Sequence, residues 1–104
     1  MQPFDLFITH LSWGEGGKYR PVLVYVIDKD EVGIYQITTQ YGSKSEHIRA
    51  KFFEIKDWAE AGLDRLSYVD TGTLIDIPLV QLDDKTVIGK LTDADKQRFL
   101  EFLP

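Results

Sequence analysis

The chain has no cysteine, which removes disulfide frameworks, thiol nucleophiles and thiolate metal sites together. Its two histidines, His10 and His47, are far apart in sequence and outside any HExxH-type spacing, so no metal site is expected. No apolar run reaches about 18 residues, and the first residues lack the charged, apolar and small-residue sections of a secretory leader, so no membrane partner is expected. A soluble, cytoplasmic protein is the expectation. Nucleotide-binding glycine motifs are missing too, and Ser12, Ser43, Ser45 and Ser67 stand in no GxSxG context, so neither a cofactor nor a serine triad is supported.

Positive charge is also in short supply. A formal net charge of -5 argues against a nucleic-acid partner, because such proteins usually carry a basic footprint. The distribution weakens that objection: through Lys56 there are seven basic and seven acidic residues, and after it five basic against ten acidic. The excess negative charge therefore lies wholly in the second half. Lys18, Arg20, Lys44, Arg49 and Lys51 are compatible with a local basic site and equally with ordinary solvated strand and loop charges.

At 104 residues and 43% hydrophobic content, residues 1–104 read as one small domain. Phe4 to Leu11 alternates as a strand whose second face is also apolar through Phe7 and Leu11. His10, near its end, is read as a hydrogen-bonded structural residue rather than a base. Ser12 to Tyr19 reads as a loop, its glycines at 14, 16 and 17 serving either simple turn chemistry or a flap that gates a ligand. Pro21 to Ile27 and Val32 to Thr39 read as strands joined by a polar turn, and His47 to Ile55 as a fourth strand. Asp57 caps a short turn that Gly62 stops. Ser67 to Asp70, Thr73 to Pro78 and Thr86 to Ile88 complete the strands, and Thr92 caps a terminal helix with Phe99, Phe102 and Leu103 on its apolar side. The pattern predicts a mainly β domain with small α content: an SH3-like, strongly bent antiparallel sheet or barrel with a C-terminal helix.

The stretch that organises the chemistry is Gly14-Glu15-Gly16-Gly17-Lys18-Tyr19-Arg20-Pro21, running into the apolar Val22-Leu23-Val24. Pro21 biases Arg20 toward an extended backbone, so the guanidinium projects from a stiff segment. If the next strand returns as a hairpin, Thr38 lies at the same end of the sheet as Arg20. Such a pair suits an anion, because a guanidinium fork matches phosphate oxygens and a hydroxyl adds a hydrogen bond. RNA transesterification asks little else of a protein, since the substrate's own 2′-hydroxyl is the nucleophile.

Arg20-Pro21 with its apolar strand, the preceding Glu15 and Gly17, and Ile37-Thr38 closing the next strand resemble the MazF/PemK family of toxin endoribonucleases over most of the chain. Asp5 matches the acid of the family's opening G-D-V/I, although Phe4 stands where its glycine is usual and Gln36 replaces a common proline. The resemblance implies Arg20 and Thr38 as the catalytic pair, with Thr39 the alternative because a one-residue slip reverses the face. It also implies a metal-independent endoribonuclease that cuts single-stranded RNA, works as a homodimer and is restrained by a cognate antitoxin. Lys18, Trp13, Thr39, Gln40, Tyr41 and Lys44 are the candidate RNA-binding residues; Trp13 and Tyr41 can stack on bases or serve as packing aromatics. The alternatives are a non-catalytic interaction protein on the same scaffold, such as a CcdB-like gyrase-binding toxin, and a degenerate member that binds RNA or antitoxin without cutting.

Overall fold

The computed structural model describes residues 1–104 apart from the Trp13 side chain and shows a mixed α/β chain on one antiparallel sheet. Its strands are β1 (Asp5–Trp13), β2 (Gly16–Asp28), β3 (Glu31–Thr38), β4 (Phe52–Ile55), β5 (Ser67–Pro78) and β6 (Val87–Lys90). Two α-helices, α1 (Glu46–Arg49) and α2 (Asp93–Phe102), accompany them. The six strands lie in the order β4-β5-β3-β2-β1-β6.

This order corrects the expected SH3-like, strongly bent sheet or barrel. Closure would require the two edge strands to hydrogen-bond each other, whereas β4 pairs only with β5 and β6 only with β1. The sheet is open and not strongly curled. Packing explains it. The turn after β4 lies against β6, where Gly89 leaves no room for a Cβ beside the Ala61 carbonyl oxygen. Gly62, at φ 101, completes this contact against Ile88 in a left-handed conformation that glycine adopts without strain. The edges are thus bridged by side-chain and turn packing rather than by a ladder.

Alternation along the strands buries apolar side chains on both faces. Leu6, Leu23, Tyr35, Ile37, Phe53, Ile55 and Val69 form the core on one face together with Phe99 of α2. Phe7, Leu11, Val22, Val24, Val32, Ile34, Ile77 and Leu82 form a second core on the other. The apolar second face expected of β1 is therefore real.

Helix α2 begins as its sequence indicates, with the Thr92 hydroxyl accepting from the Asp95 N–H at 3.2 Å. Asp95 is 1% exposed. Its carboxylate accepts from the backbone N–H groups of Lys56 (3.3 Å) and Asp57 (2.7 Å) and pairs with Arg98. These bonds tie the helix start to the end of β4.

Other segments differ from expectation. Ser12 to Tyr19 is no loop: β1 and β2 pair from Leu6↔Leu23 to Trp13↔Gly16, leaving only Gly14-Glu15 as the turn. Gly14 takes φ 49 there, as a tight hairpin turn requires. His47 to Ile55 splits into α1 and β4, because the Ser45 hydroxyl accepts from the Ile48 N–H at 3.3 Å and starts a helical turn. The strands expected at Ser67–Asp70 and Thr73–Pro78 are one continuous strand, β5. The segment from Asp57 to Ala61, by contrast, forms the expected turn, closed by the Ala61 N–H donating to the Asp57 carbonyl at 3.0 Å.

Phe4 has φ 75, the left-handed region that favours glycine. Its N–H donates to the Val24 carbonyl at 2.6 Å, and its ring packs edge-on against Tyr25 and Phe99. The backbone thus keeps a glycine-like conformation while the aromatic ring joins the core, and that packing offsets the strain.

Candidate nucleic-acid interface

Register builds the site. Arg20 lies opposite Thr9 across β1 and β2, and Thr38 lies opposite Tyr68 across β3 and β5. The β2–β3 pairing ends at Val22↔Gln36, and Arg20 and Thr38, each two residues beyond that pair, lie on the same face of their strands as Val22 and Gln36. Glu54 of β4 faces Tyr68 from the other side. Residues directly opposite in a sheet share a face, as do alternate residues along a strand, so Thr9, Arg20, Thr38, Tyr68 and Glu54 lie on one face of the sheet. The adjacent row on that face is Phe7, Val22, Gln36, Asp70 and Phe52. Both sets lie on the face opposite α2, where the second core gives way to polar side chains.

Local contacts fix these groups. Thr9 is 3% exposed, and its hydroxyl accepts from Gln81 Nε2 at 3.2 Å while the same amide donates to the His10 carbonyl at 2.7 Å. Arg20 is half-buried, with its Nε shielded from solvent. Thr38 is half-buried, and its Oγ1 accepts from the Gln40 N–H at 3.0 Å. That bond orients the hydroxyl while leaving its own proton available to donate. Thr39 is exposed, one residue past the end of β3.

Tyr41 stacks on Tyr68 with ring centroids 4.3 Å apart and planes 9° from parallel. Phe52 flanks both rings at 6.3 and 6.5 Å, and the Arg49 guanidinium lies 5.6 Å from the Tyr41 centroid. Burial, then the Glu54 carboxylate and Tyr41, raise the Tyr68 phenol above its ordinary value, so the ring is uncharged at neutral pH.

The remaining candidates divide. Lys18, two residues before Arg20 on β2, shares its face and is exposed. Gln40 and Lys44 are exposed in the segment after β3, where the Lys44 N–H donates to the Tyr41 carbonyl at 3.1 Å. The backbone of Trp13 ends β1, and its side chain lies outside the described residues. His10 is on the opposite face from Thr9; its ring meets Tyr19 edge-on at 5.2 Å and its Nδ1 is 3.5 Å from the Ser12 hydroxyl. Asp5 is at the start of β1, accepting from the Gln2 N–H at 2.9 Å, away from Arg20. Among the described residues no cluster of three or more His, Asp or Glu is arranged to hold a metal ion.

The sequence pattern does not single out Tyr68, Gln36 and Asp70 as members of this surface, whereas Arg49 is among the candidates for a local basic site. Alternation carried part of the signal: Tyr68 and Asp70 flank the buried Val69 and must face away from it. The β3–β5 register that brings Tyr68 beside Thr38 is non-local and has no signature in the sequence.

No protein-family model matches the chain, and neither does any curated protein sequence. Among solved structures it is similar to the Mycobacterium tuberculosis toxin MazF-mt6, at 24% identity over 97% of this chain and 91% of that one, with a TM-score of 0.71. The likeness is one of fold, and it extends along nearly the whole chain. No helix among the described residues is long and apolar enough to cross a membrane.

Proposed function

We propose that the protein is a MazF-type endoribonuclease toxin that cuts single-stranded RNA in the cytoplasm without a metal or cofactor. The observation that supports this reading is the Val22↔Gln36 pairing, beyond which half-buried Arg20 and Thr38 share one sheet face, in a fold shared with a MazF toxin. In the proposed reaction the 2′-hydroxyl attacks the adjacent phosphorus, the P–O5′ bond breaks, and the products carry a 2′,3′-cyclic phosphate and a 5′-hydroxyl. The proton lost from the 2′-hydroxyl is balanced by one gained at the leaving 5′-oxygen. Arg20 neutralises the charge that grows on the non-bridging oxygens, and the Thr38 hydroxyl donates to one of them. Proton abstraction is a poor task for a guanidinium, which stays charged at neutral pH. Positioning and electrostatics are therefore the main contribution of Arg20. Lys18, Gln40 and Lys44 supply exposed polar and cationic contacts along the bound strand.

The acting form is proposed to be a homodimer held in check by a cognate antitoxin. Ile8 and Tyr19, 42% and 74% exposed, leave apolar surface on the hairpin face turned away from Arg20, which supports a protein-contact role for that face. Sedimentation at micromolar concentration is expected to show a dimer; an active monomer would overturn this part.

The test of the reading is incubation of the purified protein with mixed-sequence RNA in EDTA. Discrete cleavage products are expected. Intact RNA in EDTA, with cutting restored only by a divalent metal, would overturn the metal-free reading.

A further inference from the structure

We propose that Tyr68, held against Tyr41 and bordered by Gln36, forms a subsite for one unpaired nucleobase beside the Arg20–Thr38 pair; this rests on the ribonuclease reading. Two observations carry it. Tyr68 is the cross-strand neighbour of Thr38, so a nucleotide whose phosphate sits at Arg20 and Thr38 has its base within reach of that ring. The ring is half-exposed yet fixed from one side by the parallel Tyr41 ring, with Arg49 over Tyr41 and Phe52 alongside. A preorganised aromatic surface loses little entropy when a base stacks on it.

Chemistry favours a base over a phosphate at this position. Glu54 lies directly across from Tyr68, and Asp70 is in the adjacent row. Their carboxylates repel a phosphate but accept hydrogen bonds from the amino groups of a base, although Asp70 Oδ1 already accepts from the Gly72 N–H at 2.9 Å. Gln36, half-buried opposite Val22 on the same face, adds an amide with both donor and acceptor groups. Phosphate is thus directed toward Arg20, and the base toward Tyr68.

The probe is an end-labelled oligoribonucleotide containing a bond that the wild type cuts, together with versions in which single nucleotides flanking that bond are abasic. Tyr68→Ala is expected to raise KM about tenfold to a hundredfold with kcat changed far less, the pattern of lost uniform binding. Tyr68→Phe, which keeps the ring, should restore KM. One abasic position should impose a similar penalty on the wild type and little further penalty on Tyr68→Ala, because both remove the same contact. Gln36→Ala should weaken base discrimination at that nucleotide. Unchanged KM in folded Tyr68→Ala, or full abasic penalties that persist in that variant at every position, would overturn the subsite. A wild type that cuts while Tyr68→Ala matches it defeats the subsite alone; a wild type that neither binds nor cuts RNA defeats the ribonuclease reading as well. Tyr68→Ala that loses affinity for a protein inhibitor but not for RNA would assign the surface to a protein and overturn the base subsite.

Discussion

Replacing Arg20 with alanine is expected to slow single-turnover RNA cleavage by a hundredfold to a thousandfold, about 2.7 to 4 kcal/mol, the usual loss on removing one well-placed transition-state donor. Arg20→Lys should recover little of it. Lysine keeps the charge but presents a compact ammonium in place of the planar fork that grips two phosphate oxygens. RNA binding should weaken less than turnover, because the stabilised charge develops only in the transition state. Thr38→Ala should also lose activity, and Thr39→Ala should lose less, since Thr39 is exposed beyond the end of β3. Circular dichroism would establish that each variant is folded. Wild-type cleavage by folded Arg20→Ala would remove Arg20 from the mechanism.

The largest expected effect on stability is at Phe99. This ring is fully buried and meets Phe4, Tyr25, Tyr35 and Phe53 at centroid distances from 5.1 to 6.3 Å. It is the residue through which α2 closes one face of the sheet. Phe99→Ala should cost about 3 to 5 kcal/mol, combining lost transfer energy with the cavity left behind. That is a large fraction of the roughly 5 to 15 kcal/mol typical of a domain, and it should lower the melting temperature by more than about 10 °C. Phe99→Leu should cost much less because most of the volume is kept. An unchanged denaturation midpoint for Phe99→Ala would show that α2 does not close this core.

The parts legible in the sequence are those set by local rules. Arg20 and Thr38 flank a hairpin joined at Lys29-Asp30, so strand alternation and one turn suffice to bring them to the same end. Thr92 and the acids after it mark the start of α2 in the same local way. The glycines at 14, 16 and 17 were ambiguous because a glycine signals either freedom or close approach. Gly17 belongs to the second kind: a Cβ there would meet the His10 ring at 2.7 Å, so its missing side chain serves packing across the hairpin. The short helix α1 was hidden by Ile48, Ala50 and Phe52, whose period of two mimics a strand. Whether a sheet closes depends on its two edge strands meeting, which no local pattern encodes. The same holds for Tyr68, whose place beside Thr38 is set by strands far apart in sequence.

The central claim is that RNA is cut by its own 2′-hydroxyl under the charge of Arg20. The most direct measurement is the end chemistry of the products formed in EDTA from a labelled RNA, alongside the same RNA carrying one 2′-deoxynucleotide on the 5′ side of the cut bond. The account predicts 2′,3′-cyclic phosphate and 5′-hydroxyl ends, with no cleavage at the deoxy position. Cleavage of the deoxy substrate at the normal rate, or 5′-phosphate ends, would contradict it.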